Sequence, residues 1–369
     1  MPVAPGLRTA VFDDYPKIHR MASRYFHRPL PADEWRRLYT DNPLWPRLGD
    51  RWPIGWVLED TAGEVVGSFS NVPSLYHFRG ADRVCANGNR WSVLPEYRGY
   101  AAWLMDEYFS QQRVDLLINT TVGAAATQVI SSFAERVPLG DWQTRAFRVL
   151  RYSEFALRIL RHRHIPAARA LAAPAGFGLR AKDALLSKSL PARPAAVTVS
   201  AVRCFGGEFD TFWTELVRRN PEKLLAVRDS QALNWHFGAA IRAGRLRAYT
   251  ATRGHSLLGY CVLSEYDYSE LGLTSLRIVD YHSVDEDADL LPGLVRAALE
   301  HCATTGVHLI ETLGSGIPKM CSFERFARTR SVKSSWSFYY RATDPDLEVE
   351  LRNADVWDPS GYDGDASYL

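Results

Sequence analysis

The chain has 369 residues, of which 46% are hydrophobic and 23% are charged, and its formal net charge is +2 at pH 7. This length and composition predict a folded protein with room for two domains and exclude an extensively disordered chain. A charge so near zero excludes strong global attraction to nucleic acid, so any site for an anionic partner must be local.

The first half of the chain alternates helices with short strands. The predicted elements are, in order, a helix within 7–24, a hairpin of strands at 56–59 and 65–70, a strand at 84–93, a helix ending at Gln112, a strand at 114–119 and a helix at 124–133. The strands at 84–93 and 114–119 are separated by a helix, which is the crossover that a parallel pair requires. We therefore expect these two strands to pair in parallel at the centre of a sheet.

The turn after the strand at 84–93 carries a positive charge and a small residue. Its sequence is Pro-Glu-Tyr-Arg-Gly, and it places Arg98 and Gly99 at the start of the next helix. A helix N-terminus presents unpaired N–H groups and a partial positive charge, which suits a phosphate or pyrophosphate group. The alternative is an ordinary strand-to-helix connection with a solvent-facing arginine.

The order of elements and the turn Val93-Leu94-Pro95-Glu96-Tyr97-Arg98-Gly99 resemble the GNAT acetyltransferase superfamily over residues 7–150. The resemblance implies that the turn binds the pyrophosphate of coenzyme A and that a backbone N–H of the motif strand stabilises the oxyanion. The register that begins at Arg98 places Ala101 and Trp103 where the superfamily usually has small residues. The residues that the resemblance assigns to the acyl donor are Val93, Leu94, Arg98, Gly99, Tyr100 and Ala101.

The second half of the chain repeats the pattern of the first from residue 197 onward. We expect an α/β (α+β) protein with two GNAT-like domains, each a mixed, mostly antiparallel sheet with a central parallel strand pair flanked by helices. The predicted ranges are 1–150 for the donor domain, 151–196 for a basic linker, 197–345 for the second domain and 346–369 for an acidic tail. The turn of the second copy, at 284–289, has four acids and no Gly or Arg, and it would repel a pyrophosphate.

The segment 145–193 concentrates basic residues, with only Glu154 and Asp183 as acids. Phe155, Leu157 and Leu160 interleave with its arginines, a pattern that suits an amphipathic helix on an anionic membrane surface or a segment that contacts tRNA phosphates. The alternative is a solvated pair of interdomain helices.

Acyl transfer to an amine needs a base, an oxyanion donor and a proton for the leaving thiolate. Asp280 and His282 stand at i and i+2 on one strand, so they share a face, where the carboxylate could activate the imidazole. Glu311 ends the neighbouring strand and could complete this site. Asn89 is a third candidate catalytic residue, although an amide accepts no proton at neutral pH. The alternative for Asp280 and His282 is a hydrogen-bonded structural pair.

The first functional hypothesis is an acyltransferase that moves an acyl group from acyl-CoA, as co-substrate, or from another acyl thioester to a small-molecule or peptide amine bound between the two domains. The second is an aminoacyl-tRNA-dependent aminoacyltransferase, because two such domains joined by a basic helical segment also resemble the Fem-type enzymes. The third is a non-catalytic binding protein of the same fold.

Five scattered cysteines without a CxxC pair predict thiols in a reducing compartment and no metal site. The N-terminal residues lack the apolar core of a signal peptide. We therefore expect a cytoplasmic protein, peripheral to a membrane if the basic segment binds lipid.

Overall fold

A computed structural model describes residues 3–25, 30–140, 142–186, 196–285, 290–302, 306–314, 317–327, 329–332, 336–364 and 367. The chain divides into two compact units. Unit 1 comprises residues 1–139, 220–236 and 334–369, and unit 2 comprises residues 140–219 and 237–333.

The strands and helices are numbered along the chain. The strands are β1 Gly6–Thr9, β2 Gly55–Glu59, β3 Val65–Phe78, β4 Ala81–Val93, β5 Leu116–Val122, β6 Glu135–Arg136, β7 Thr144–Val149, β8 Thr198–Val202, β9 Leu225–Ala226, β10 Leu246–Arg253, β11 Ser256–Tyr268, β12 Leu273–Ser283, β13 Leu309–Leu313, β14 Thr329–Val332 and β15 Ser337–Ala342. The helices are α1 Tyr15–Ala22, α2 Ala32–Thr40, α3 Trp45–Leu48, α4 Ala101–Phe109, α5 Ala124–Ile130, α6 Tyr152–His162, α7 Ala168–Leu186, α8 Glu208–Arg219, α9 Ser230–Arg242, α10 Leu290–Cys302, α11 Cys321–Phe326 and α12 Pro345–Glu350.

Unit 1 is built on a sheet in the order β1-β2-β3-β4-β5-β15-β6, with β9 added to β3. The pair β4 and β5 is parallel, and helix α4 makes the crossover between them. One face of the sheet packs on a core that includes Phe69, Leu104 and Tyr108, and a second core contains Tyr39 and Val72. The central parts of β4 and β5 are buried, and they contain polar residues such as Asn87, Asn89 and Asn119 as well as apolar ones.

Unit 2 repeats this architecture in the order β14-β7-β13-β12-β11-β10-β8. Its parallel pair is β12 and β13, and α10 makes the crossover. The core beneath this sheet includes Leu291, Leu294 and Val295 of α10. The predicted fold class, a mixed and mostly antiparallel sheet around a central parallel pair, is confirmed.

The two halves of the chain exchange one strand. Strand β7 follows the first half in sequence but pairs with β13 and β14 in unit 2, whereas β15 pairs with β5 and β6 in unit 1. The compact units therefore differ from the predicted ranges 1–150 and 197–345. Because both repeats leave an equivalent edge beside the parallel pair, local sequence does not decide which edge a strand will join.

The acidic tail packs against unit 1. Val356, Trp357 and Tyr362 are buried, and the Trp357 ring contacts the rings of Phe338 and Tyr340 at centroid distances of 5.5 and 5.1 Å. The described part of the tail thus belongs to the core of this unit despite its acidic, turn-rich composition.

Candidate functional site

Strand β4 contains a bulge next to the central parallel pair. Ser68 of β3 pairs with Ser92, whereas Ser70 pairs with Asn89, so β4 has one residue more than β3 between these pairs. The extra length is accommodated at Arg90, whose φ is +52°. A non-glycine residue in this region is strained by about 1 kcal/mol or more. Bulges bend a strand and increase its twist, so β4 turns away from its neighbour here.

The bulge also reverses which side chains share a face. Simple alternation places Trp91 and Val93 on the face of Asn87 and Asn89. In the structure Ser92, not Trp91, shares the face of Asn89, because directly opposite residues lie on one side of a sheet. The Trp91 ring instead lies 6.4 Å from the ring of Phe69 on the opposite face.

Strands β4 and β5 separate just before the bulge. Their parallel pairing runs from Cys85–Leu116 to Asn87–Ile118, and within the described residues no further pair joins them, although each strand continues. Among the described residues, the backbone groups of β4 beyond Asn87 are therefore not taken up by a ladder with β5.

Three buried asparagine amides surround the point of separation. Asn87 donates from Nδ2 to the carbonyl of Asp363 at 2.9 Å, and Asn119 donates from Nδ2 to the carbonyl of Gly88 at 3.1 Å. Asn89 is 2% exposed, and neither its Oδ1 nor its Nδ2 has a partner in the described part of the chain. A buried, unpaired amide costs about 1–3 kcal/mol, so such groups usually mark a bound ligand or water.

Further polar atoms without partners extend this cluster. Within the ranges that the structure describes, Trp91 Nε1, Ser92 Oγ and Asn119 Oδ1 are buried and accept or donate no hydrogen bond. Together with Asn89 they define what we name the asparagine cluster, in which Asn89 and Ser92 lie on one face of the sheet and Trp91 and Asn119 lie on the other, with Phe69. On the face of Asn89, its amide and the hydroxyl of Ser92 offer both donors and acceptors, which suits a neutral polar group such as a thioester carbonyl or an amide.

Near the end of β4, one backbone N–H points to the side of the strand where β5 no longer pairs with it. Leu94 donates its N–H to the carbonyl of Val66 at 2.9 Å, so this donor is taken up by the sheet. Bonded and non-bonded pairs alternate along an antiparallel ladder, so the N–H and C=O of Val93 point to the other side. Consistently, the Val93 carbonyl accepts a hydrogen bond from the Tyr25 hydroxyl at 3.0 Å. Of the two predicted oxyanion donors, Val93 has an N–H that points away from β3, whereas the N–H of Leu94 is bonded to β3.

The predicted phosphate turn forms a short 3-10 helix, Pro95–Tyr100, that leads directly into α4. Arg98 and Gly99 are exposed, and no side chain caps the start of α4. No ion pair of Arg98 is found among the described residues. A methyl group added at Gly99 would meet no atom within 4 Å. An anionic group therefore has open space beside a cation and a helix N-terminus.

Trp103 occupies the position where the resemblance implies a small residue. Its side chain is 40% exposed, and its ring packs edge-on against the ring of Tyr100 at 4.9 Å. Tyr100 and Ala101 are half-buried at the junction with α4. The turn therefore has an exposed arginine and an uncapped helix start. The indole of Trp103 packs against the ring of Tyr100.

Asp280 and His282 are both buried in unit 2. The distance from His282 Nε2 to Asp280 Oδ1 is 4.0 Å. The Tyr260 hydroxyl donates to Asp280 Oδ2 at 2.5 Å, and Lys319 Nζ lies 3.2 Å from His282 Nε2. Asp280 and His282 therefore lie near each other beside Tyr260 and Lys319, and their action as a base stays a prediction.

Glu311 belongs to a different network from the one predicted. Its carboxylate accepts hydrogen bonds from Tyr268 and Ser275 and forms ion pairs with Arg145 at 2.9 Å and Arg277 at 3.0 Å. Burial alone would raise the pKa of the Glu311 carboxyl, but the charges of Arg277 and Arg145 and these hydrogen bonds hold it below its ordinary value. None of these contacts involves Asp280 or His282.

The acidic stretch at 284–289, predicted to repel a pyrophosphate, is described only as far as Asp285. Asp285 forms an ion pair with Arg219, and residues 286–289 lie outside the described residues. Within the part of the chain that is described, no group of three or more His, Cys, Asp or Glu side chains is arranged to hold a metal ion.

One buried ion pair in unit 1 was not predicted from the sequence. Arg228 is fully buried, and its Nη2 lies 3.1 Å from Asp363 Oδ2 in the tail. Tyr76 donates to the other carboxylate oxygen at 2.9 Å, and the ring of Tyr362 lies 4.5 Å from the guanidinium. The two partners are 135 residues apart in the sequence.

A cavity of about 60 Å³ lies beside this ion pair. Its lining includes Asn87, Ser74 and Trp235, and among described residues Asn87 Oδ1 and Ser74 Oγ lack hydrogen-bond partners. A polar cavity of this size can hold a few water molecules, which would satisfy both oxygens. The tail thus forms one wall of a polar cavity next to strand β4.

The fold has counterparts among solved structures. A GCN5-related N-acetyltransferase from Anabaena variabilis matches with a TM-score of 0.54 and 11% identity, over 92% of this chain and 73% of that one. One from Kribbella flavida gives a TM-score of 0.51 and 14% identity, over 92% and 72%. N-myristoyltransferase from Saccharomyces cerevisiae, with bound myristoyl-CoA, gives 0.57 and 10%, over 96% and 85%. The chain has the GNAT fold.

The matches cover most of the chain, which is consistent with two GNAT units in tandem. No family model matches the sequence, and no curated protein matches it. Identities of 10–14% show the fold alone. The role of each residue in the GNAT fold of this chain must therefore be argued from its own geometry.

Proposed function

We propose that this protein is an acyltransferase that moves an acyl group from acyl-CoA, or from another acyl thioester, to an amine. The observations that carry the proposal are the buried amide of Asn89, which has no partner among the described residues, and the N–H of Val93, which points to the side of β4 that faces away from β3. N-acetyltransferases share this fold, as does an N-myristoyltransferase that was crystallised with myristoyl-CoA. The proposal extends their chemistry to this chain.

The donor would lie along the open side of β4. The N–H of Val93 would donate to the thioester oxygen, which gains negative charge as the amine attacks. The amide of Asn89 would supply a second donor, and the pairing of its buried atoms would offset the cost of desolvating them. Arg98 and the start of α4 would bind the phosphate end of the donor, which matches their exposure and their charge.

Tyr25 is our candidate for the proton donor. The sequence shows no tyrosine on the helix after β5, which is where the GNAT resemblance implies the acid. The Tyr25 hydroxyl instead reaches the end of β4 from the segment after α1, 3.0 Å from the Val93 carbonyl. As the amine nitrogen bonds to the carbonyl carbon and the C–S bond breaks, this phenol would protonate the leaving thiolate, and the amine would lose its proton to water.

Thermal unfolding with acetyl-CoA, longer acyl-CoAs, free coenzyme A and aminoacyl-tRNA tests the proposal, because a ligand that binds the folded state raises its melting temperature. We expect acyl-CoA to stabilise the protein and expect the effect to be lost in Arg98→Glu. Arg113→Glu is the matched control, since Arg113 is also exposed but follows the other end of α4.

Release of free thiol in the presence of a panel of amines then tests catalysis. Stabilisation by acyl-CoA without thiol release would favour the non-catalytic binding protein. Stabilisation by aminoacyl-tRNA alone would favour the Fem-type reaction. No response to any thioester would overturn the proposal.

A further inference from the structure

Helices α6 and α7 form an antiparallel hairpin in unit 2. The two helices approach closely at Gly176, where an added Cβ would lie 2.7 Å from Ser153 Cα. The Tyr152 hydroxyl donates to the buried carboxylate of Asp183 at 2.9 Å. Helix α7 continues through Pro174. The hairpin is therefore a defined pair of helices with a small, specific contact face.

The opposite face of α7 exposes large apolar side chains. Leu171, Phe177 and Leu185 are 44%, 74% and 85% exposed. At about 100° per residue, these three lie within about 120° of one another and opposite the buried Ala172 and Gly176. Ile165, in the connection to α6, and Leu186, at the end of α7, are also exposed. Exposed apolar groups gathered on one helix face usually mark an interaction site.

The hairpin is strongly basic around this apolar face. Residues 151–186 contain seven Arg or Lys and two acids. Both acids are already engaged, since Glu154 pairs with Arg151 and Asp183 accepts from Tyr152. The remaining basic side chains are exposed, and no ion pair of theirs is found in the described ranges; they are Arg158, Arg161, Arg163, Arg169, Arg180 and Lys182.

We propose that the hairpin α6–α7 docks the protein on an anionic lipid surface. Phe177, Leu185 and Leu171 would enter the boundary between headgroups and acyl chains, and the flanking basic side chains would contact the lipid phosphates. Long basic side chains reach such phosphates while their stems remain near apolar groups. No described helix is long and apolar enough to cross a membrane, so the attachment is interfacial.

Lipid fits these observations better than RNA does. RNA phosphates would pair with the six free cations but would leave the side chains of Phe177 and Leu185 in water. A bilayer surface accommodates both properties in one contact. Residues 187–195, which contain Lys188 and Arg193 of the predicted basic segment, lie outside the described residues and carry none of this argument.

Co-sedimentation of the full chain with vesicles tests the proposal. The vesicles are phosphatidylcholine alone or phosphatidylcholine mixed with phosphatidylglycerol. We expect binding to the anionic vesicles, weakened by salt, and little binding to the neutral ones. Replacing both apolar anchors, in Phe177→Ser with Leu185→Ser, should weaken binding by more than about tenfold. Loss of each cation near the surface lowers the affinity for anionic vesicles by about fivefold. Arg180→Glu combined with Lys182→Glu should therefore lower this affinity by at least about 25-fold.

Val349→Ser is the matched control, because Val349 is 62% exposed but lies on α12 of unit 1. Unchanged melting temperatures would show that every variant is folded. Failure of the wild type to bind anionic vesicles would overturn the proposal. So would binding that is insensitive to loss of Phe177 and Leu185. Binding to a short RNA, with no binding to vesicles, would indicate that the hairpin binds RNA and not a lipid surface.

Discussion

The guanidinium of Arg228 lies 3.1 Å from the carboxylate of Asp363, and both side chains are buried. This pair attaches the tail to the body of unit 1. Its geometry is completed by Tyr76, which donates to the same carboxylate, and by Ser360 Oγ, 3.1 Å from the guanidinium. A tail that the sequence describes only as acidic and turn-rich is thereby a structural part of the unit.

Breaking this ion pair should destabilise the protein strongly. Asp363→Asn removes the negative charge of the carboxylate that lies 3.1 Å from the buried guanidinium of Arg228, and losses of this kind cost about 3–5 kcal/mol. Urea unfolding measures the change in the free energy of unfolding. Arg228→Met combined with Asp363→Leu removes both charges and should recover part of the loss. Arg352→Met, which breaks the exposed 2.7 Å pair with Glu135, is the control and should have little effect. Equal effects of the buried and exposed variants would contradict this prediction.

Gly88 and Gly99 should respond oppositely to the same substitution. A Cβ at Gly88 would lie 2.3 Å from Phe69 Cζ and 2.4 Å from Asn119 Nδ2, whereas a Cβ at Gly99 meets no atom within 4 Å. Gly88→Ala should cost about 1–3 kcal/mol of unfolding free energy through overpacking, while Gly99→Ala should leave it unchanged. Paired urea titrations of the two variants measure the difference. A neutral Gly88→Ala would show that β4 and β5 are not held together at this point.

Glu311 should make the stability of unit 2 sensitive to acid. Because its folded-state pKa lies below the unfolded value, its contribution is present above the ordinary carboxyl pKa of about 4.3 and is lost as pH falls through the folded pKa. Glu311→Gln should remove this dependence, and it should also lower stability at neutral pH by leaving Arg277 and Arg145 unpaired. Urea titrations between neutral and acidic pH measure both effects. Glu265→Gln, an exposed carboxyl with one 3.9 Å contact, is the control. An identical loss of stability on acidification in wild type and Glu311→Gln would refute the assignment.

The central elements of both units follow from the sequence because their signals are local. Alternating apolar residues predict the strands, Gly63 provides a positive φ at the hairpin turn, and the helix between two strands requires a parallel pair. The bulge has no such signal, since Arg90 adopts its positive φ where a glycine would be expected. The exchange of β7 and β15 and the pairing of Arg228 with Asp363 depend on contacts between distant segments, which no local pattern encodes.

Within the candidate site, too, the sequence indicates only those arrangements that involve neighbouring residues. The residues of the turn, Arg98 and Gly99, are adjacent in sequence, so their proximity is assured. The direction of the Val93 N–H depends on the ladder register, and the distance between Asp280 and His282 depends on the rotation of each side chain. The shared strand face brings these two side chains to 4.0 Å from each other, and Tyr260 and Lys319 are among the groups that they contact.

Asn89 should contribute to function at the expense of stability. Its buried amide has no partner among the described residues, so Asn89→Leu, which replaces it with an apolar side chain of similar size, should leave the free energy of unfolding unchanged or raise it by about 1 kcal/mol. The same variant should lose at least about tenfold in acyl transfer, because one donor to the developing oxyanion is removed. Urea titration and thiol release measure the two effects separately.

Asn71→Leu is the control that separates the two effects. Asn71 is equally buried, but its Nδ2 donates to the carbonyl of Pro53 and to Gln111 Oε1, both at 2.9 Å. Its replacement leaves these acceptors unsatisfied, so it should lower the free energy of unfolding by about 1–3 kcal/mol and leave the transfer rate of the folded protein nearly unchanged. If Asn89→Leu behaved like Asn71→Leu, the amide of Asn89 would be a structural group, and the asparagine cluster would no longer support a site for the thioester.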